Sequence, residues 1–435
     1  MKGSVPHAAE SLGVVATPRH VEPPGAARSA MRHALEAVGS VRPQLVSVQV
    51  AEQAIPRMRD GVVFHAGPPI EPSQMCEPMR AAIAVGLKLE GVVVELREAL
   101  RLLDAGEIEL IPNHDAGCVG PMAGILTSSM PVWTVASRGG SAHAWSSLNE
   151  GSGAVLRYGA DTPEVADRLR WMRDDLAPGL TRALDACGPV DLLELMADAL
   201  AAGDELHHRT HAATRLLTER LAPELASPHA RFLAENHQTF LNVAMAASKL
   251  CLDAAPQIEG CALVTAIARN GVQVGVRLAG TGDRWFTGPA PLPDPVTLHP
   301  GFAPSDMCRD LGDSAIVEAY GLGAIAASAA PSVGPSVGLP ASGAIDRTDQ
   351  LRPIFAGHHP DLEIPGHDGP RPAALGLDAH AIVELGIVPP IHTGIAHRKA
   401  GIGQIGGGVS RPPLEAFRAA LDALVPMHNP PTKEL

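Results

Sequence analysis

Ile108–Gly124 reads IELIPNHDAGCVGPMAG. A short run of strand character enters a loop of glycine, alanine and proline that carries a histidine, an aspartate and a cysteine. Layered α/β proteins hold ligands at the carboxyl ends of strands, and glycines let backbone N–H groups come close to a ligand. The same residues also make ordinary turns, so the flanks decide. Upstream, QLVSVQV (44–50) and GVVFHAG (61–67) read as strands, and helical spacing runs from Glu77 to Leu103 with a break at GLKLEG. Downstream, MPVWTVAS (130–137) reads as the next strand. Strands alternating with helices predict a layered α/β domain over 27–155. It opens with a helix, ARSAMRHALEAVG, closed by Gly39, and follows a flexible tail over 1–26.

The character then changes. Thr162-Pro163-Glu164 is a helix start, with a cap, a proline at the first helical position and an acid at the positive end of the dipole. Further helix is expected from Leu192 to Leu221 and from Pro228 to Leu252, which makes 156–255 an all-helical domain. A third, C-terminal α/β domain over 256–435 is expected from CALVTAIARNGVQVGVRL (261–278), two apolar runs joined by Asn270-Gly271. A two-residue type I′ turn there would place Ile267 opposite Val274, Thr265 opposite Val276 and Leu263 opposite Leu278, in a central, covered hairpin. The fold class read from the chain is therefore mixed α/β (α+β): two α/β domains flanking a helical one. The last helix is expected over Pro413–Leu424.

Composition narrows the partners. The net charge is −13 over 435 residues, and no basic stretch carries interleaved aromatics, so nucleic acid is not an expected partner. The six cysteines include no C-x-x-C pair, which argues against a zinc ribbon or a disulfide framework. The N-terminus lacks the apolar run of a signal peptide. Ala319–Ile345 is uncharged but broken by prolines, and reads as a buried small-residue helix and loop, not a membrane span. A cytoplasmic chain without cofactor or metal is the expectation.

Several constellations carry chemistry. In the opening loop His114 suits acid–base work with Asp115 orienting it, and Asn113 lies beside them. Cys118 is either a nucleophile or a small packed side chain. His65 closes the strand GVVFHAG. In GDELHHRTHAAT (203–214) a helix would put Glu205 and His208 on one face and His207 and His211 on another, a spacing that di-iron bundles use. Asp204 and His207 can equally point into a cleft. Asn236 in ENHQ is a substrate donor or a buried amide, and Asp283 and Asp313 each follow a glycine. Finally HTGIAHRKAGIGQIGGGVSRPP (392–413) joins glycines to His392, His397, Arg398, Lys399, Gln404 and Arg411, a candidate anion-binding concavity.

The ordered set FHAGPPIEPSQMCEPMRAA, IPNHDAGCVGPMAGILTSSMPV, LRYGAD, GDELHHR, EGCALVTAIARNG, GDRWFTGPAP, GDSAIVEAYGLG and TGIAHRKAGIGQIGGGVSRPP resembles the YlbE/AllG-like family over roughly residues 44–420. The resemblance implies a subunit of an oxamate carbamoyltransferase, working with FdrA-like and AllH-like subunits in purine (allantoin) catabolism, as part of an oligomer. The reaction implied is oxalurate plus phosphate to oxamate plus carbamoyl phosphate. His114, Asp115, Cys118, Asp204, His207, His392 and His397 fall on the family's pattern, whereas His208 and His211 do not. On that reading backbone N–H groups and imidazoles stabilise the developing negative charge, and phosphate sits in the block from His392 to Arg411. A non-catalytic scaffold and a metal-dependent amidohydrolase are the alternatives.

Overall fold

Alanine, leucine and valine at helical spacing open the ordered chain: Ala30, Ala34 and Val38 line the buried face of α1 (Gly25–Ser40). The computed structural model describes residues 25–424. The expected tail over 1–26 lies, but for its last two residues, outside the described residues, and those two begin α1.

The first stretch is built as expected in its elements and mixed in its pairing. β1 (Pro43–Val50) ends in the single turn α2 (Ala51–Ala54) and is followed by β2 (Val62–His65), α3 (Glu77–Leu89), α4 (Leu96–Asp104) and β3 (Glu109–Pro112). β2 and β3 pair in parallel with His65 opposite Pro112, so the strand ends that carry His65 and Asn113 lie side by side. β4 (Cys118–Val119), β5 (Pro131–Ser137) and β6 (His143–Ser147) join β1 in a separate sheet, ordered β4-β6-β5-β1. Only its β4–β6 pair is parallel.

Helices dominate the middle. Thr162 accepts a hydrogen bond from the Val165 N–H at 3.4 Å and caps α5 (Pro163–Trp171), which passes through a π-turn at Met172–Leu176 into α6 (Ala177–Cys187). One short strand intrudes: β7 (Val190–Asp191) adds to the free edge of β1. The helix expected from Leu192 to Leu221 is two, α7 (Leu192–Ala201) and α8 (His211–Leu221). Gly203 and Leu206, at φ +96° and +71°, cannot continue a right-handed helix. The second expected helix divides at Asn236–Gln238 into α9 (Ser227–Glu235) and α10 (Thr239–Asp253).

The third stretch is organised by the hairpin β8 (Val264–Asn270) and β9 (Gln273–Leu278), central in the antiparallel order β10-β9-β8-β12, with β10 at Phe286–Pro289 and β12 at Leu311–Gly312. β11 (Val296–Leu298) belongs elsewhere. The expected register is wrong by two: Ile267 faces Val276 and Arg269 faces Val274. Gly271 has φ +81° but Asn270 is not left-handed. The Asn270 side chain instead accepts the N–H groups of Val272 (3.0 Å) and Gln273 (2.7 Å), which closes a wider turn.

After β12 come α11 (Ile316–Tyr320), a buried 3₁₀ turn over Gly323–Ala329 and a half-exposed one over Pro331–Val337, then α12 (Ala344–Leu351). The small-residue stretch is thus 3₁₀ where a helix was expected, and no helix of the described residues is long and apolar enough to cross a membrane. β13 (His358–Gly366) and β14 (Gly369–Ala374) form a hairpin, followed by α13 (Ala379–Leu385). β15 (Ile391–Ala396) and β16 (Gln404–Ser410) form another, which β11 extends, and α14 (Leu414–Asp422) closes the chain. The glycines of β16 are there for close packing. A Cβ on Gly406 would lie 2.4 Å from Thr297 O, and one on Gly407 2.6 Å from Ser336 O. This extended strand is not an anion-binding concavity.

α10 is buried on nearly every face. It packs against β1, β5 and β6 on one side and against β8 and α11 on the other. One apolar cluster runs from Ala30 to Leu424 through all three stretches. We propose the boundaries at 155 and 255 as changes of architecture within it.

The turn yields a stability prediction. A Cβ on Gly271 would lie 2.6 Å from Cys76 Sγ on a left-handed backbone. Gly271→Val is expected to lower unfolding free energy by about 1–3 kcal/mol, read from denaturant melts. A transition at the wild-type midpoint would show the turn to be unstrained.

Candidate functional site

The opening loop is held by a carboxylate from far along the chain. Asn113–Ala116 makes one 3₁₀ turn, ended by Gly117 at φ +72°. Asp313, fully buried, accepts the Gly67 N–H at 2.8 Å on one oxygen, and the Asn113 amide at 2.9 Å and the Gly120 N–H at 3.0 Å on the other. Burial pushes its pKa up to about 6 against the pull of those three donors. Asn113 and Asp313 are therefore the frame of the loop. Cys118 lies beneath it, its thiol donating to Ala116 O at 3.5 Å, and burial raises its pKa far above the ordinary thiol range. It is placed as a small packed side chain, and its burial works against the thiolate.

The pairing of His114 with Asp115 is not formed. Asp115 Oδ1 accepts from Arg277, and from Trp285 Nε1 at 3.3 Å. His114 sits edge-on to Trp285, with Asp313 at 3.8 Å and no hydrogen-bond partner on either ring nitrogen among the described residues. Burial, then the charges of Lys249, Arg277 and Arg269, hold its pKa well below the ordinary range. It faces a small cavity behind the loop. His65 is also buried inside, its Nδ1 2.9 Å from Ala66 O.

Backbone strain marks a different place. Among the described residues Met122 (φ +57°) and Leu206 (φ +71°) are the non-glycine positions in the left-handed region, each at a cost of about 1–3 kcal/mol. Met122 lines a chamber of about 250 Å³, and Leu206 precedes two more of its wall residues, His207 and His208. Arg157, Tyr158, Gln238 and Gln404 also line it and are shared with an outer cleft of about 860 Å³. That cleft runs between Gly151–Ala154 and the Gly401–Gly403 turn, with Asn236 on its side, so the chamber opens outward through it.

Two buried histidine–carboxylate pairs back the chamber. His207 Nδ1 lies 2.7 and 2.8 Å from the two oxygens of Glu318, which also accepts the Ala324 and His392 N–H groups at 3.0 and 3.2 Å. His207 Nε2 has no partner among the described residues. His392 Nδ1 lies 3.3 Å from Glu205, whose other oxygen accepts the Arg209 N–H at 2.7 Å. Burial works against the Glu205 carboxylate, but the hydrogen bond and charge of His392, with the charge of His207, hold its pKa down at about 2. His208 packs its ring 6.3 Å from that of His392; burial and then the charge of His392 lower its pKa to about 4 and keep it neutral. Gly323 is obligatory, because a Cβ there would lie 2.3 Å from Glu318 Oε1.

Arg157 is the cation at the chamber mouth. One arm donates to Gly151 O; the other, Nη1, is buried 3.8 Å from Glu150 with no hydrogen-bond partner among the described residues. Tyr158 donates to Gln404 Oε1 at 3.1 Å. Arg157, Tyr158 and Glu318 are the site residues that sequence reasoning did not select. The signal for Glu318 was available: a lone acid in the apolar run AIVEAY must be buried and must find a partner.

The remaining candidates scatter. Asp204 caps α8 through the Ala213 N–H (2.8 Å) and pairs with Arg209 at 3.4 Å. Asn236 donates to Asn149 O at 3.0 Å. Asp283 is exposed. His397 Nδ1 accepts the Lys399 N–H at 2.9 Å and shapes the β15–β16 turn, from which Arg398 and Lys399 extend into solvent. Arg411 donates to Asp294 O at the far end of β16, roughly 23 Å of strand away. These cations do not build the single phosphate pocket expected of them. Among the described residues no three of His, Cys, Asp or Glu are arranged to hold a metal ion.

Fold and site together define a mixed α/β protein with a polar chamber, lined by His207 and His208, that opens into a wider cleft. A family model described as oxamate carbamoyltransferase subunit AllG matches residues 108–314, from the loop through Arg157 and His207 to Asp313. The oxamate carbamoyltransferase subunit AllG of Escherichia coli (strain K12) is 40% identical over 404 residues, covering 90% of this chain and 96% of that one. The uncharacterized protein YahG of the same strain is 38% identical over 406 residues, covering 90% and 85%. A crystal structure of a conserved protein of unknown function from Enterococcus faecalis V583 superimposes with a TM-score of 0.88 at 35% identity, covering 92% of this chain and 97% of that one. The chain belongs to the AllG family, as the ordered motifs implied.

Two outcomes are expected. The Glu205 pKa falls from 4.5 to about 2 on folding, so the unfolded chain takes up this proton first as the pH drops. The carboxylate's contribution, on the order of 3 kcal/mol, is present in full above about pH 4.5 and is lost as the pH falls towards 2. Unfolding free energies of wild type and Glu205→Gln, compared across that range, should converge by this amount; parallel curves contradict it. Cys118 should resist alkylation by iodoacetamide in the native chain and label only on unfolding; rapid native labelling would restore it as a nucleophile.

Proposed function

We propose that this chain is a subunit of a carbamoyltransferase complex, probed best as oxalurate plus phosphate giving oxamate plus carbamoyl phosphate, and that the reacting ligand occupies the chamber beside His207. The observation that carries the reading is the His207–Glu318 pair: a buried carboxylate fixes Nδ1 and leaves Nε2 free on the wall of a chamber open to solvent through one cleft. That is the arrangement of a general acid–base. The relationship to the AllG subunit supplies the class of reaction.

In the direction of phosphorolysis a phosphate oxygen attacks the ureido carbonyl. The bond from that carbon to the amide nitrogen breaks, and the proton that phosphate gives up goes to the departing nitrogen. His207 Nε2 takes and returns this proton, with Glu318 steadying the imidazolium. The free Nη1 of Arg157 holds the substrate carboxylate, a charge-assisted bond made where water is scarce. FdrA-like and AllH-like chains are the proposed partners, in a cytoplasmic complex serving purine (allantoin) nitrogen catabolism. This reading gives the proton transfer to His207 and not to His114, which lines the smaller cavity and not the chamber.

The test is a complex reconstituted from purified subunits. His207→Gln should lower kcat about a hundredfold or more with KM little changed. Arg157→Gln should weaken carboxylate binding by about 1.5–3 kcal/mol, seen chiefly in KM. If both variants match the wild type in correctly assembled complexes, the chemistry lies on a partner subunit and this chain is its scaffold.

A further inference from the structure

Behind the opening loop, on the side away from the chamber, lies a second polar cavity of about 70 Å³, walled by His114, Lys249, Gln257, Thr265, Arg277 and Asp283 among others. It is several times the space of one water. The family reading and the reaction above make no use of it.

Its wall carries polar groups that nothing among the described residues satisfies. Both ring nitrogens of His114 are buried without a partner, and so is Nε of Arg277. The charges nearby are mostly matched: Lys249, buried, is paired with Asp253, and Arg277 with Asp115. Arg277 also lies flat on Trp285, 4.0 Å from the ring, so its guanidinium is fixed in place. Asp283 stands at the rim, 3.9 Å from Arg277, with its side chain almost fully in solvent. The carboxylates thus take the Lys249 ammonium and Arg277 Nη2, and leave the Arg277 Nε–H without an acceptor among the described residues. A buried donor without an acceptor costs about 1–3 kcal/mol, and His114 and Arg277 line the same cavity, where one ligand that accepts from both would satisfy them.

We propose that this cavity binds a small oxyanion, a phosphate or a carboxylate group, held by Arg277 Nε–H and a ring N–H of His114. The surrounding cations favour it: Lys249, Arg277 and Arg269 all act on His114 and, with burial, keep it neutral. A bound anion offsets that field, so His114 takes up a proton as the anion binds. The loop that carries His114 also carries Pro121 and Met122 into the chamber, so an occupant here bears on the chamber from behind.

The test needs no carbamoyl-transfer assay and is independent of the function proposed above. The full chain is titrated calorimetrically with inorganic phosphate and, separately, with formate, each in two buffers of different ionisation enthalpy. Expected is saturable binding of at least one of them with proton uptake; the tighter of the two identifies a tetrahedral or a planar oxyanion. Arg277→Lys should weaken binding at least tenfold, and His114→Gln should abolish the proton uptake. Arg157→Gln, in the chamber, should leave this binding unchanged. Thr265→Met, which fills the cavity from a position with no hydrogen bond to the frame, should block it even if the other two variants fold poorly. No saturable binding, or binding that survives Thr265→Met or is lost only in Arg157→Gln, overturns the proposal.

Discussion

The Asp313 carboxylate is the constraint on which the site depends. It gathers an N–H from Gly67, an N–H from Gly120 and the amide of Asn113, donors 193 to 246 residues away in sequence. A buried carboxylate is costly to desolvate, and three hydrogen bonds are what make it tolerable. Because the donors are spread over the β2 and β3 exits and the loop beyond, satisfying one charge fixes all three backbones at once. The glycines follow from this closeness. A Cβ on Gly67 would lie 2.5 Å from the backbone of Arg269, and one on Gly120 2.7 Å from Gly124 Cα.

Immediately after Asp313, Ser314 lines the chamber, and five residues on, Glu318 receives His207. One short segment therefore anchors the loop on one side and orients the acid–base histidine on the other. The separation of roles is electrostatic. Asp313 meets only neutral donors and its pKa rises to about 6, whereas Glu205, facing two imidazoles, is held at about 2. Carboxylates equally buried differ because their partners differ.

Much of this was legible in the sequence, and the failures share a cause. Helix and strand positions followed from periodicity, and the Thr162 cap and the centrality of the hairpin from local chemistry. What periodicity cannot show is a residue held against its preference. Leu206 at positive φ turns GDELHHR from a helical face into a bend, so the helical spacing argued for Glu205, His207, His208 and His211 had no geometry to act in. Asn270 was read as a left-handed turn residue when its side chain was closing the turn. The glycines of IGGG were read as ligand-facing when they let β11 and the Ser336 carbonyl approach. Local composition does not say whether a glycine faces a ligand or another strand.

Partner choice among charges was the second blind spot, and it decides the site. Asp115 neighbours His114 in sequence, yet Arg277 takes it, because a guanidinium stacked on Trp285 offers a stronger bond than a neutral imidazole. Losing Asp115 leaves His114 uncharged and unpaired behind the loop. Glu318, 111 residues from His207, supplies the pairing the chamber needs. A residue beside a histidine in sequence is a weak guide to its proton, since the i,i+1 side chains of a tight turn diverge. The carboxylate that orients the His207 imidazole is the one the fold packs against it from 111 residues away, not Glu205 two residues before it.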